Sequence, residues 1–192
     1  MLSYARTLIC SRVIVSSSKP YPQFAGMDLD EVVKTMGLRV EEAIAKLQPA
    51  SAIYFSMDET DVQRILSFEN TMIGSDGLPH DLAPHPRLWG CFPRVLGHYS
   101  RDLKLFSLET AVRKMTGLPA KTFGLKDRGV LKEGAYADIA VFDPATIAET
   151  ATWEKPIQPA SGIAATIVNG LIVWQNNRPT GKRPGKVLRR ES

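Results

Sequence analysis

A short apolar run that breaks into glycine and aspartate, Thr71-Met72-Ile73-Gly74-Ser75-Asp76-Gly77, constrains this chain more than any other stretch. A Gly-Ser-Asp-Gly exit from such a run is how a parallel strand hands its C-terminal end to a loop, and in α/β folds polar working residues gather there. The sequence therefore predicts a strand ending near Ile73, with Asp76 at its working end. From Leu78 to Arg101 no helical or strand period follows. Yet this stretch holds all three histidines, four prolines, Trp89 and Tyr99. It reads as a long functional loop over 77–101.

The flanks supply the elements. Arg12-Val13-Ile14-Val15 reads as a short buried strand ending in Ser16, Ser17 and Ser18. Asp28 caps a stripe of Leu29, Val32, Val33 and Met36, with Glu31 at the capping-box position and Gly37 as the stop. Val40, Ala43, Ile44 and Leu47 repeat the period up to Pro49, giving a helical hairpin. Ser51 to Phe55 is extended, and Val62, Ile65 and Leu66 mark another helix over 58–68. Ser107 caps a helix with Leu108, Ala111, Val112 and Met115 buried, which Gly117 and Pro119 stop. Beyond residue 120 the character turns to β: a strand over 137–142, then a hairpin, 163–168 with 171–175, about an Asn169-Gly170 turn of type I′.

Composition excludes several classes. No stretch approaches the roughly 18 apolar residues of a membrane span, and the N-terminus lacks a secretory cleavage pattern. The expectation is a cytoplasmic protein. Cys10 and Cys91 lie far apart with no CxxC, so they read as free thiols. The net charge of +4 is local, since Lys182, Arg183, Lys186, Arg189 and Arg190 face Glu191 in a basic tail. Nucleic-acid binding is not expected from it.

With these residues in hand, the chain resembles the C-terminal part of the N-acyl-D-amino-acid deacylases (D-aminoacylases), a branch of the metal-dependent amidohydrolases. The resemblance is carried by Val13 to Ser18, Ala52 to Met57, the run MIGSDGLPHDLAPHPRLWGCFPRVLGHYSRD from Met72 to Asp102, Ala111 to Asp143, and IVNGLIVWQ from Ile167 to Gln175. Within it, Gly129-Val130-Leu131-Lys132-Glu133-Gly134-Ala135-Tyr136-Ala137-Asp138 is a signal shared across the superfamily.

The resemblance implies an α/β fold: the C-terminal portion of a (β/α)8 barrel, about strands 7 and 8, followed by part of a small β-sandwich domain. Residues 1–119 are the barrel part, with a helical lid insertion at about 20–70 and an active-site loop at 77–101. Residues 120–182 are β-domain strands, and 183–192 are the tail. In such enzymes zinc activates a water that attacks the amide carbonyl. Asp76 matches the aspartate that shuttles the proton. Arg87, in His85-Pro86-Arg87, either holds the substrate carboxylate or braces its loop. Met57 either lines the pocket wall or packs in the core. His80, His85 and His98, spaced five and thirteen apart, lack the close pair of a metal site and read as structural. Cys91 has no adjacent base in sequence and is assigned no role.

The chain has no His-x-His and none of the ligands that precede Asp76 in the family's order, so it is expected to hold no zinc by itself. A complete barrel takes about 250 residues. Two functional classes follow: the C-terminal piece of an active hydrolase of N-acyl-D-amino acids, complemented by the N-terminal barrel portion, or a non-catalytic remnant or interaction protein. Exposed strand edges also favour self-association.

Overall fold

The computed structural model describes residues 12–189. Cys10, Arg190 and Glu191 lie outside them, as does the stretch read for a cleavage pattern. The chain forms two compact units that interleave in sequence. The first takes residues up to Val62, Asp76–Leu88 and Ala151–Ile157; the second takes Gln63–Ser75, Trp89–Thr150 and Gln158 onward.

The first unit is built on an antiparallel pair, β1 (Val13–Ser18) and β2 (Ala50–Tyr54), with Val13 opposite Tyr54 and Ser18 opposite Ala50. Between them come a 3-10 turn at Pro22–Phe24 and the expected helical hairpin, α1 (Leu29–Met36) and α2 (Val40–Leu47). Asp28 caps α1 by accepting from the Asp30 N–H, and Gly37 ends it in the left-handed conformation. The apolar stripe buries Val32 with Val15, Phe24 and Leu47, and Tyr21, Met27, Leu29 and Met36 pack around them. Each such side chain contributes roughly 1.5–3 kcal/mol.

One expected strand does not form here. The expected parallel strand at 71–73 belongs to no strand pair, and every ladder among the described residues is antiparallel. The edges of β1 are already occupied: β2 pairs with it, while the Val15 N–H donates to Met27 O and the Val15 carbonyl accepts from Gly26. The Ile73 N–H instead donates to the carbonyl of Lys114.

Helix α3 (Glu59–Ser67) forms as expected. The stretch read as a loop to Arg101 does not stay irregular. It becomes α4 (Arg87–Arg94) and then a π-helix, Val95–Asp102. Pro93 inside α4 removes one helical bond. The π-helix ends on a five-residue bond, Leu103 N–H to His98 O at 2.9 Å, so its buried Val95, Leu96, Tyr99 and Ser100 recur in fours and fives. A search for a 3.6 period misses them.

In the second unit, α5 (Leu108–Met115) starts at Ser107, whose hydroxyl accepts from the Thr110 N–H. Gly117 and Pro119 do not end the helical region; after a break at Thr116 they open α6 (Gly117–Phe123), where proline in the first turn gives up no bond. The largest buried side chain of α5 is Lys114, 1% exposed. Its ammonium donates to the carbonyls of Phe68 at 2.5 Å, Thr71 at 3.3 Å and Glu69 at 3.4 Å, groups released where α3 ends. Burial pushes its pKa below the ordinary lysine value. Lys114→Met keeps the length and takes the ammonium from all three, leaving Phe68 O the Thr71 N–H and Glu69 O the Arg113 guanidinium while Thr71 O loses its donor, so a loss of about 1–3 kcal/mol is expected. An unchanged urea midpoint would show that water satisfies Thr71 O.

The β region is a four-stranded antiparallel sheet in the order β3 (Ile139–Phe142), β4 (Ile163–Val168), β5 (Leu171–Gln175) and β6 (Arg178–Pro179). Asn169 and Gly170 turn at φ 47° and 80°, as a type I′ hairpin requires. The superfamily signal locks this turn. Asp138 accepts from the Asn169 N–H at 2.8 Å and pairs with Arg128, whose other arm donates to Asn169 Oδ1 at 2.6 Å. Arg128 also lies 4.1 Å over the Tyr136 ring. No helix among the described residues is long and apolar enough to cross a membrane.

Candidate active site

The loop that begins at Asp76 is seated on the β1–β2 sheet. Ser51 donates to Asp81 Oδ1 at 2.8 Å, Ser17 and Ser51 share a hydroxyl bond of 2.8 Å, and the Ala83 N–H donates to Ser16 O. Sequence reasoning passed over Asp81. Its only signal was a carboxylate placed between two histidines in an irregular stretch. Gly77 is obligatory in this seat, since a Cβ there would lie 2.9 Å from the Leu88 backbone and 2.5 Å from its side chain.

The loop brings the first two candidate residues together. Arg87 Nη2 donates to Asp76 Oδ2 at 2.6 Å, and Arg87 Nε donates to the Asp76 carbonyl at 3.1 Å. One guanidinium thus holds both the side chain and the backbone of Asp76. Asp76 sits in the left-handed region at φ 45°, with its side chain 82% exposed. A pair this open adds little stability. Arg87 thus ties two parts of the loop, eleven residues apart, to each other.

Met57 is 71% exposed beyond β2, outside the core of the described residues. His80 is exposed. The His98 ring packs edge-on against Tyr99 at 4.9 Å. The Cys91 thiol faces the carbonyl of Gly74 at 3.7 Å. His85 is half-buried, and its Nδ1 accepts from the Arg87 N–H at 2.9 Å. Burial, and then the Arg87 charge, push its pKa down to about 4, while Asp76 acts the other way. Among the described residues no three of histidine, cysteine, aspartate and glutamate come together as a metal site.

Comparison with known proteins fits this geometry. D-aminoacylase of Alcaligenes xylosoxydans xylosoxydans is 59% identical over 99% of this chain, which spans 39% of that relative's length. A structure of D-aminoacylase, determined to define the role of its binuclear metal centre, superposes with a TM-score of 0.88 at 58% identity, covering 92% of this chain and 37% of its own. The N-acyl-D-glutamate deacylase of Bordetella bronchiseptica, complexed with zinc and a phosphonate mimic of the tetrahedral intermediate, gives 0.90 at 47% identity, covering 96% and 39%. The relatives are metal-dependent deacylases, and the shared fold mixes helix and sheet. The model of the amidohydrolase family matches residues 22–174, and with these identities the chain belongs to that family.

Proposed function

We propose that this chain supplies the proton-carrying part of an N-acyl-D-amino-acid deacylase, the C-terminal portion of its barrel and part of its β-domain. The pairing of Asp76 with Arg87 on an exposed, left-handed loop residue carries the reading. In the reaction a water oxygen bonds to the acyl carbon and the amide C–N bond breaks, giving a carboxylate and a free D-amino acid. Asp76 takes the proton that the water loses and returns it to the departing amine nitrogen, ending as it began. Arg87 orients Asp76 before substrate enters and offers its guanidinium to the carboxylate that every N-acyl amino acid carries. Met57, exposed beyond β2, lines the wall against the acyl or side-chain group.

In the family zinc polarises the carbonyl and its water. The described residues of this chain do not assemble a site for it, so in this reading the ligands come from a polypeptide carrying the N-terminal barrel portion. That same observation favours a second reading, a non-catalytic remnant that keeps the family fold in part.

The test is zinc content and hydrolysis of N-acetyl-D-methionine by the purified chain, with and without a co-expressed N-terminal barrel portion of a relative. Zinc and turnover that appear only in the mixture are the expected result. Neither in either sample would establish the remnant.

A further inference from the structure

Residues 151–157 lie between β3 and β4 in sequence but belong to the first unit. Trp153 in this segment packs on Phe55 with ring centroids 4.7 Å apart, and edge-to-face on His85, also at 4.7 Å. His85 accepts from the Arg87 N–H, and Arg87 holds Asp76. The segment therefore touches the candidate site through the Trp153 ring.

We propose that Trp153 is a positioning residue for the Asp76–Arg87 pair: its indole keeps His85 where Nδ1 accepts the backbone N–H of Arg87, at the start of α4. The inference rests on the reading of Asp76 as proton carrier. An imidazole nitrogen accepts only while it carries no proton, so the bond to Arg87 needs the neutral ring. The cover that Trp153 provides keeps the ring neutral through mildly acidic pH, the direction in which burial pushes it.

Among the charged groups near it, Arg87 disfavours the imidazolium and Asp76 favours it. Glu154 and Lys155 follow Trp153 in sequence, and Arg12, paired with Asp28, lies 5.2 Å over Phe55. Without the indole the ring meets water and protonates nearer its ordinary value. Nδ1 then turns a donor toward the Arg87 N–H, and the first turn of α4 loses its acceptor.

The experiment is an NMR titration of the histidines in the whole chain, with the His85 signal identified by His85→Gln, in the parent, Trp153→Phe and Trp153→Ala. The expected His85 midpoint is near 4 in the parent, stays within about half a unit of that in Trp153→Phe, and rises by one unit or more toward 6.5 in Trp153→Ala. An unmoved midpoint in Trp153→Ala overturns the proposal. Should that variant not fold, Trp153→Gln is read against the same two outcomes.

In the complemented enzyme the acid limb of kcat in Trp153→Ala should move up with the His85 midpoint, so that kcat falls by a larger factor at pH 5 than at pH 8. A purely structural role would lower kcat equally at every pH. If the midpoint rises and the limb stays, the positioning role is overturned while the deacylase reading stands. Absence of turnover in every mixture counts against the deacylase reading alone, because the titration needs none.

Discussion

Replacing Asp76 by asparagine lowers turnover of the complemented enzyme on N-acetyl-D-methionine by about 100- to 10,000-fold, with KM changed far less. The amide keeps the shape of the carboxylate and an oxygen toward Arg87, so the loop stays in place. What is lost is the capacity to take a proton from water and return it to the amine. Because the side chain is 82% exposed and its ion pair is open to solvent, the melting temperature should hardly move. That separation between kcat and Tm distinguishes a chemical role from a turn cap, which would lower both together. Near-normal turnover in Asp76→Asn would take the residue out of the mechanism.

The second large effect falls on folding. Gly97, in the π-helix, has the carbonyl oxygen of Ile147 where a Cβ would stand, 2.4 Å away. That carbonyl cannot simply retreat, since Arg101 Nη1 donates to it at 2.8 Å and also reaches the carbonyls of Ala145 and Pro144. Ile147 itself is fully buried, and Arg94 is tied to Glu149 at 2.6 Å. Gly97→Ala must therefore push apart a helix and a segment joined at several points. A loss of about 3 kcal/mol is expected, read as a lower urea midpoint with an unchanged slope. A midpoint equal to the parent's would mean that the 144–149 segment yields freely.

Much of the local structure was legible because local chemistry decides it. Asp28, Ser107 and Gly37 sit at the helix ends where capping requires them, and Asn169-Gly170 makes the turn that only positive φ permits. The legible part of the candidate site was the pair Asp76 and Arg87, found through the long run around them rather than through periodicity. The failures have separate causes. Partners distant in sequence decide whether an apolar run becomes a strand, and Met72 and Ile73 have the composition of one without a strand neighbour among the described residues. The π-helix escaped because its repeat is not the one sought. Lys114 escaped because a lysine among apolar positions reads as the solvent side of a helix. Only the structure shows the three carbonyls that draw it inside. Trp153 escaped in the same way, from a segment that no sequence pattern connects to His85.

The interleaving of the first unit matters for how the protein is made. A ribosome adds roughly 5–20 residues per second, and domains usually settle in the order in which they emerge. Here the loop bearing Asp76 and Arg87 is synthesised well before residues 151–157, the last piece of the same unit. Until Trp153 emerges, His85 has no indole over it and the nascent loop waits on a fixture still to be translated. Transcripts that stop short of residue 150 would yield both residues of the pair without that cover.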